Sequence, residues 1–330
     1  GLVALDSGND IVPALAMNWQ VDSSATIYTF ELRETSFHNG KTLEAEDVVY
    51  SLNRLKDPKV ASPGSWVVGD IAKIQTLNAS SVKIILRQPN ASFLSLLAMP
   101  FCSIIPKDAE TLNTTPLGTG PFKFHVWHYG EKMVLHKNER YWRFDSAGIQ
   151  LPYLDGISIS FLTDQQSAFL EYLRGNFDVL PNLDPSFKDD LLTKQGRLQD
   201  RYRTEHTLVR SPFLNTEYLV FNAKRSLPRD LRWAINASID RSEMITSLRN
   251  GVGVPATGGI IPAGLPGHRS DIGIGYAPDS AKSIIASYEE LPALTLTTVA
   301  NYRDLCEFVQ GALAKLGWDI AVNVVPSAAL

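Results

Sequence analysis

The sequence predicts an α/β fold, and two stretches carry that expectation. Residues 28–56 read as a strand, a tight turn and an amphipathic helix. Residues 294–324 read as strand, helix and strand, a length that suits a crossover between two parallel strands.

Taken in order, residues 1–25 hold Pro13-Ala14-Leu15-Ala16 and Trp19. A short helical turn followed by a strand is expected there, burying Leu15 and Trp19. Tyr28, Phe30 and Leu32 then alternate with Thr29, Glu31 and Arg33, the period of a half-buried strand. Asn39-Gly40 tolerates the positive φ of a turn. In the following helix Ala45, Val48, Leu52 and Leu55 form one apolar stripe. Glu46 and Asp47 place negative charge at its N-terminus, and Asp57-Pro58 stops it. The loop 61–65 precedes Trp66. Ile71–Leu77 and Val82–Leu86 read as paired strands around a turn at 78–81. Phe93, Leu94, Leu96 and Leu97 suggest a short buried helix, and residues 101–106 a strand.

Beyond these, residues 122–137 read as a hairpin around Tyr129-Gly130. Ile157, Ile159 and Phe161 alternate with serines as a strand. Gln165–Arg174 is helical and ends at Gly175. Phe177-Asp178-Val179 and Glu217–Phe221 read as strands. Asp240 is placed to cap the helix that begins near Arg241. Residues 251–278 are rich in glycine and proline and read as a long loop. In the last unit, Leu305, Phe308, Val309, Ala312, Leu313 and Leu316 recur at helical spacing. Asn301 can cap that helix and Gly317 can end it.

Composition narrows the function. The 330 residues are 44% hydrophobic and 20% charged, ordinary for a chain with a sizeable core, and the net charge is −4. A nucleic-acid or anionic-membrane partner is therefore not expected. No run of about 18 apolar residues exists to span a bilayer. Cys102 and Cys306 read as two free buried thiols. No H-E-x-x-H, G-x-S-x-G or paired-cysteine motif occurs. The glycines of Gly118-Thr119-Gly120 lack the following lysine of a phosphate loop, and they read as a turn allowing tight backbone geometry. His125 and His128 lie three apart on a strand and so point to opposite faces, with His136 across the hairpin. A shared metal site is not expected there. Lys188-Asp189-Asp190 reads as a solvated helix face. Neither catalysis, a cofactor nor a metal is called for.

Several stretches resemble the family 5 extracytoplasmic solute-binding proteins, the oligopeptide-, dipeptide- and nickel-binding receptors of ABC importers. They are FELR (30–33) with FHNGKTLEAEDVVYSLNRLKD (37–57), GTGPF (118–122), NERYW (138–142), PYLDGI (152–157), LPRDLRWAIN (227–236) and IDR (239–241). One departure is Glu44, where the family usually has the better-capping Thr or Ser. The resemblance implies a periplasmic-binding-protein-like fold of type II (cluster C), with two lobes, an extra small domain and mixed sheets. Residues 1–115 would be the small domain, 116–235 most of the main lobe, and 236–330 the start of an incomplete second lobe. It further implies a receptor truncated at both ends, located in the periplasm or otherwise outside the cytoplasmic membrane, with a lipid anchor through the missing N-terminus as one form. Its partners would be an oligopeptide enclosed between the lobes and a membrane permease, with no nucleic acid, and a monomer is expected. Nickel or another small solute, or a ligand-sensing regulator domain, are the alternatives, and a hydrolase is a further one without a supporting motif. Four residues map onto ligand-facing positions of the family: Trp66, Asn215, Tyr218 and Asn222. Turn capping by Asn222, core packing of Tyr218 and surface packing of Trp66 are the competing structural roles.

Overall fold

The computed structural model describes residues 1–107, 114–181, 187–210, 213–224 and 227–329. Its internal contacts divide the chain into Gly1–Thr163 and Asp164–Leu330.

In the first unit, β1 (Val3–Leu5) pairs antiparallel with β2 (Ile11–Pro13). β3 (Ala16–Val21), β4 (Ile27–Leu32), β5 (Ile71–Asn78) and β6 (Ser81–Leu86) form an antiparallel sheet in the order β3-β4-β6-β5. The alternation in β4 does what its period requires. Tyr28, Phe30 and Leu32 are buried beside Val82, Ile84 and Leu86 of β6. Helix α1 (Ala45–Arg54) lays Ala45, Val48 and Leu52 into the same core, each fully buried. Gly40 takes a φ of +88° in the turn before it, a conformation that costs glycine little. The short helix α2 (Phe93–Leu97) buries both end residues there as well.

Four local expectations change. No helix forms at residues 13–19: Leu15 is buried, but it sits between β2 and β3, and Trp19 is only half-buried. Ser65, the last residue of the expected loop, instead opens a 3-10 turn over Ser65–Val68 that carries Trp66. Residues 101–106 are not a strand. The Ile105 N–H donates to the Ser51 hydroxyl at 2.9 Å and the Lys107 N–H to Asp47 Oδ1 at 2.9 Å. Side chains of α1 therefore take donors that a ladder would have used. Glu44, finally, makes an effective N-cap through its backbone, because its N–H donates to Asp47 Oδ2 at 2.9 Å.

The unit ends in a three-stranded antiparallel sheet, β7 (Phe122–His128), β8 (Lys132–Lys137) and β9 (Gly156–Ser160), in that order. Gly130, at a φ of +77°, makes the hairpin turn. Cys102 is buried and free, and burial pushes its thiol up to about 11.

In the second unit, α3 (Gln165–Leu173) buries Phe169 against α4 (Lys188–Leu191) and its neighbour Leu192. A larger core joins α5 (Arg229–Ala237), α7 (Pro278–Ala286) and α8 (Arg303–Ala314) through Leu231, Ile235, Ile285, Val309 and Leu313. β10 (Thr295–Thr298) and β11 (Ala321–Val324) are parallel, as the crossover reading requires. Trp318 closes this unit, its indole N–H donating to the Pro292 carbonyl at 3.2 Å. Cys306 is buried in α8 and free.

α6 (Arg241–Arg249) starts at Asp240, whose carboxylate accepts the Glu243 N–H at 3.0 Å. It ends at Asn250, left-handed at a φ of 48°. The Asn250 side-chain amide then ties α6 to α4, donating to the carbonyls of Lys188 and Leu192 and to Asp189 Oδ1 at 3.0–3.3 Å. Residues 251–277 form the expected long loop.

Three expectations fail in this unit. Residues 177–179 and 217–221 have no ladder partner among the described residues. A period of two reports alternation, while a strand also needs a distant partner, which local pattern does not specify. Asn301 does not cap α8. A 3-10 turn over Ala300–Tyr302 leads into the helix, and Asp304 in its first turn accepts the Leu305 N–H at 2.9 Å.

Candidate ligand-binding residues

Trp66 owes its presentation to its neighbours. Val67 and Val68 are buried, at 2% and 0% exposure, and they fix the turn to the core. Before it, a Cβ on Gly64 would stand 2.4 Å from Cγ of Phe101, so only glycine fits. Trp66 itself is 60% exposed. An anchored turn that carries an open indole provides apolar contact area without a large ordering cost.

In the same unit, His38 fastens the Gly118-Thr119-Gly120 turn. His38 N–H donates to the Gly118 carbonyl at 2.9 Å, and the Gly118 N–H points to His38 Nδ1 at 3.4 Å. His38 Nε2 lies 3.1 Å from the Gly120 carbonyl, which also accepts from the Asn138 amide at 2.9 Å. A neutral imidazole with its proton on Nε2 satisfies both contacts. Burial, with a smaller contribution from Lys123, lowers the His38 pKa and favours that form. Neither Gly118 nor Gly120 has a positive φ, so this turn does not draw on the left-handed conformation that favours glycine. An open groove of about 400 Å³ lies nearby in the chain, between Glu34, Thr42, Arg140, Trp142 and Phe144. The Arg33 guanidinium stacks over the Trp142 ring, 3.6 Å from its centroid.

The other three residues share one segment of the second unit. Residues 213–224 run without regular structure, and Asn215, Tyr218 and Asn222 are exposed along it. Tyr218 is 63% exposed, which removes core packing as its role. Asn222 does cap a turn: its Oδ1 accepts the Lys224 N–H at 3.0 Å. The structure thus brings Asn215, Tyr218 and Asn222 onto one exposed stretch, while Trp66 belongs to the other unit.

A node not anticipated from sequence holds this segment. Arg249, at the end of α6, pairs with both carboxylate oxygens of Asp304 at 2.5 and 3.1 Å. The Tyr302 hydroxyl bonds Glu217, whose negative charge is the main cause raising the Tyr302 pKa. The Arg249–Asp304 hydrogen bond raises the arginine and lowers the carboxylate. Glu217 sits beside Tyr218, so this cluster ties the exposed segment to α6 and α8. Four charged or polar residues dispersed from position 217 to 304 leave no local spacing to read. Among the described residues, no group of three or more His, Cys, Asp or Glu side chains is placed to hold a metal ion.

Residues 10–330 match the family described as bacterial extracellular solute-binding proteins, family 5 middle. The chain belongs to that family. Among its relatives is the dipeptide-binding protein of Escherichia coli, 26% identical over 93% of this chain and 62% of the relative. The family 5 chain thus spans about 62% of the length of that curated relative. Solved structures agree on the fold. The periplasmic binding protein DppA of Helicobacter pylori, in complex with the peptide STSA, superposes with a TM-score of 0.71 at 24% identity, covering 99% of this chain and 68% of that one. NikA of Brucella suis, in complex with Fe(III)-EDTA, superposes with a TM-score of 0.78 at 21% identity, covering 99% and 69%. The fold is therefore the α/β fold of the periplasmic binding proteins of this family. No helix among the described residues is long and apolar enough to cross a membrane.

Proposed function

We infer that this family 5 chain is the solute-capturing part of an extracytoplasmic receptor that binds oligopeptides and delivers them to an ABC permease. The observation that carries the reading is the family match across residues 10–330, joined to a dipeptide-binding relative aligned over 93% of the chain. The protein performs no reaction in this reading; enclosing the solute and releasing it to the permease is its whole mechanism. It works as a monomer, outside the cytoplasmic membrane, and no nucleic acid takes part. Its organisation is a small domain at 1–115, most of a main lobe at 116–235 and the beginning of a second lobe at 236–330.

Trp66 supplies an apolar platform, and Tyr218 and Asn222 offer a hydroxyl and an amide to peptide main-chain groups, with Asn215 beside them. Main-chain recognition of this kind grips many sequences, since every peptide presents the same N–H and C=O pattern. Native mass spectrometry of the protein purified from its source tests the reading. A heterogeneous set of co-purified peptides is expected. Repeated recovery of a metal chelate or another small solute with no peptide overturns the substrate assignment and points to a different branch of the family.

A further inference from the structure

We propose that His125 and His136 form a chelating pair for a divalent transition-metal ion of the Ni²⁺, Zn²⁺ and Cu²⁺ class, on one face of the β7–β8 hairpin. The proposal does not rest on the solute-binding reading.

The register of the hairpin creates the pair. Lys123 opposes His136 and Phe124 opposes Leu135, but Val126 opposes Val134. His125 is therefore the extra residue of a β-bulge. Alternation along β7 puts His125 on the face of Lys123, two residues before it, and so on the face of His136, the ladder partner of Lys123. The bulge leaves His125 without a residue directly opposite it in β8. As a result the two imidazoles stack, with ring centroids 4.1 Å apart and planes at 17°. Both residues are exposed. On the far side of His136 its ladder partner in β9 is Gly156, which brings no side chain over the ring.

Imidazole nitrogens favour zinc, copper and nickel over calcium or magnesium. A metal–nitrogen bond is about 2.0–2.1 Å long, so two nitrogens that come within roughly 4 Å of each other can share one ion. Each lone pair lies in its ring plane, and stacked planes do not aim both at one point. Rotation about Cβ–Cγ of one exposed ring brings the lone pairs together. No third His, Cys, Asp or Glu joins the pair among the described residues, so water completes the coordination sphere. Lys123, directly opposite His136, brings a positive charge to the same face and limits the affinity.

The test is calorimetric titration of Ni²⁺ into untagged protein near neutral pH, with His125→Gln, His136→Gln and Lys123→Met. One ion per chain is expected. Either histidine variant should weaken binding roughly tenfold or more, since each removes one arm of a two-point attachment. Lys123→Met should tighten it. With Cu²⁺, pulsed electron paramagnetic resonance should report two imidazole nitrogens in the wild type and one in each histidine variant. Wild-type protein that binds no Ni²⁺, or histidine variants that bind as the wild type does, overturn the proposal.

Discussion

The buried carboxylate of Asp47 accepts the backbone N–H of Lys107 at 2.9 Å, across 60 positions of sequence. The same side chain accepts the Glu44 N–H at 2.9 Å and lies 3.4 Å from the Lys41 ammonium. One residue of α1 thus closes the helix N-terminus and holds the strand-free stretch that follows α2. Asp47→Ala leaves two backbone donors without their acceptor. A loss of about 1–3 kcal/mol is expected, the range for a partly buried donor left without its acceptor. Urea unfolding followed by circular dichroism checks it; a change within the error of the fit contradicts the role.

The contacts of His38 predict a pH dependence. Its folded pKa is lowered, so between that value and the ordinary one, about 6.5, the unfolded chain binds more protons than the folded one. Stability from this residue is then complete above about pH 6.5 and falls as pH drops toward the folded pKa. Thermal midpoints of wild type and His38→Asn, measured between about pH 5 and 8, should converge at the acid end, since the variant lacks the titrating ring. Parallel curves contradict the assignment.

Gly64 is expected to tolerate no side chain. A Cβ there meets Cβ, Cγ and Cδ1 of Phe101 at 2.4–2.6 Å, the near end of a ring that cannot swing aside cheaply. Gly64→Ala should cost about 1–3 kcal/mol, the usual range for overpacking. It should also displace Trp66, and Gly64→Ala combined with Phe101→Ala should recover part of the loss. Equal destabilisation in the single and double variants would show that the clash is not the cause.

Asn250 combines a left-handed backbone with three side-chain donations to α4. Asn250→Gly keeps the backbone preference and removes the amide, whereas Asn250→Ala loses both. The alanine variant should be the less stable, by about 1 kcal/mol relative to glycine. Hydrogen exchange at α4 should accelerate in both. The reverse order of stability contradicts this account of the cap.

What could be read from the sequence was local. The strand at Tyr28–Leu32, the stripe of α1 and the βαβ unit at the end depend on periods of two and 3.6 within one element, and their burial follows from those periods. The candidate segment 213–224 was singled out from sequence only through the family resemblance around Tyr218 and Asn222. Its form was not legible: alternation at 217–221 resembles a strand, yet pairing depends on a distant partner. Nor could the Asp47–Lys107 bond, the Glu217–Tyr302 contact or the His125–His136 stack be read. The first two join residues remote in sequence, and the third depends on the hairpin register and the bulge at His125, which local spacing does not specify.

The measurement nearest the central claim is calorimetric titration of short peptides into the wild-type protein and into Trp66→Ala, Tyr218→Phe and Asn222→Ala. Saturable one-to-one binding is predicted for peptides of unrelated sequence. Trp66→Ala should weaken it by about tenfold, the loss of one stacked aromatic contact at roughly 1–1.5 kcal/mol, with smaller losses for the other two. Peptides that fail to bind while a non-peptide solute saturates the protein, or peptides that are consumed during the titration, would contradict a peptide receptor.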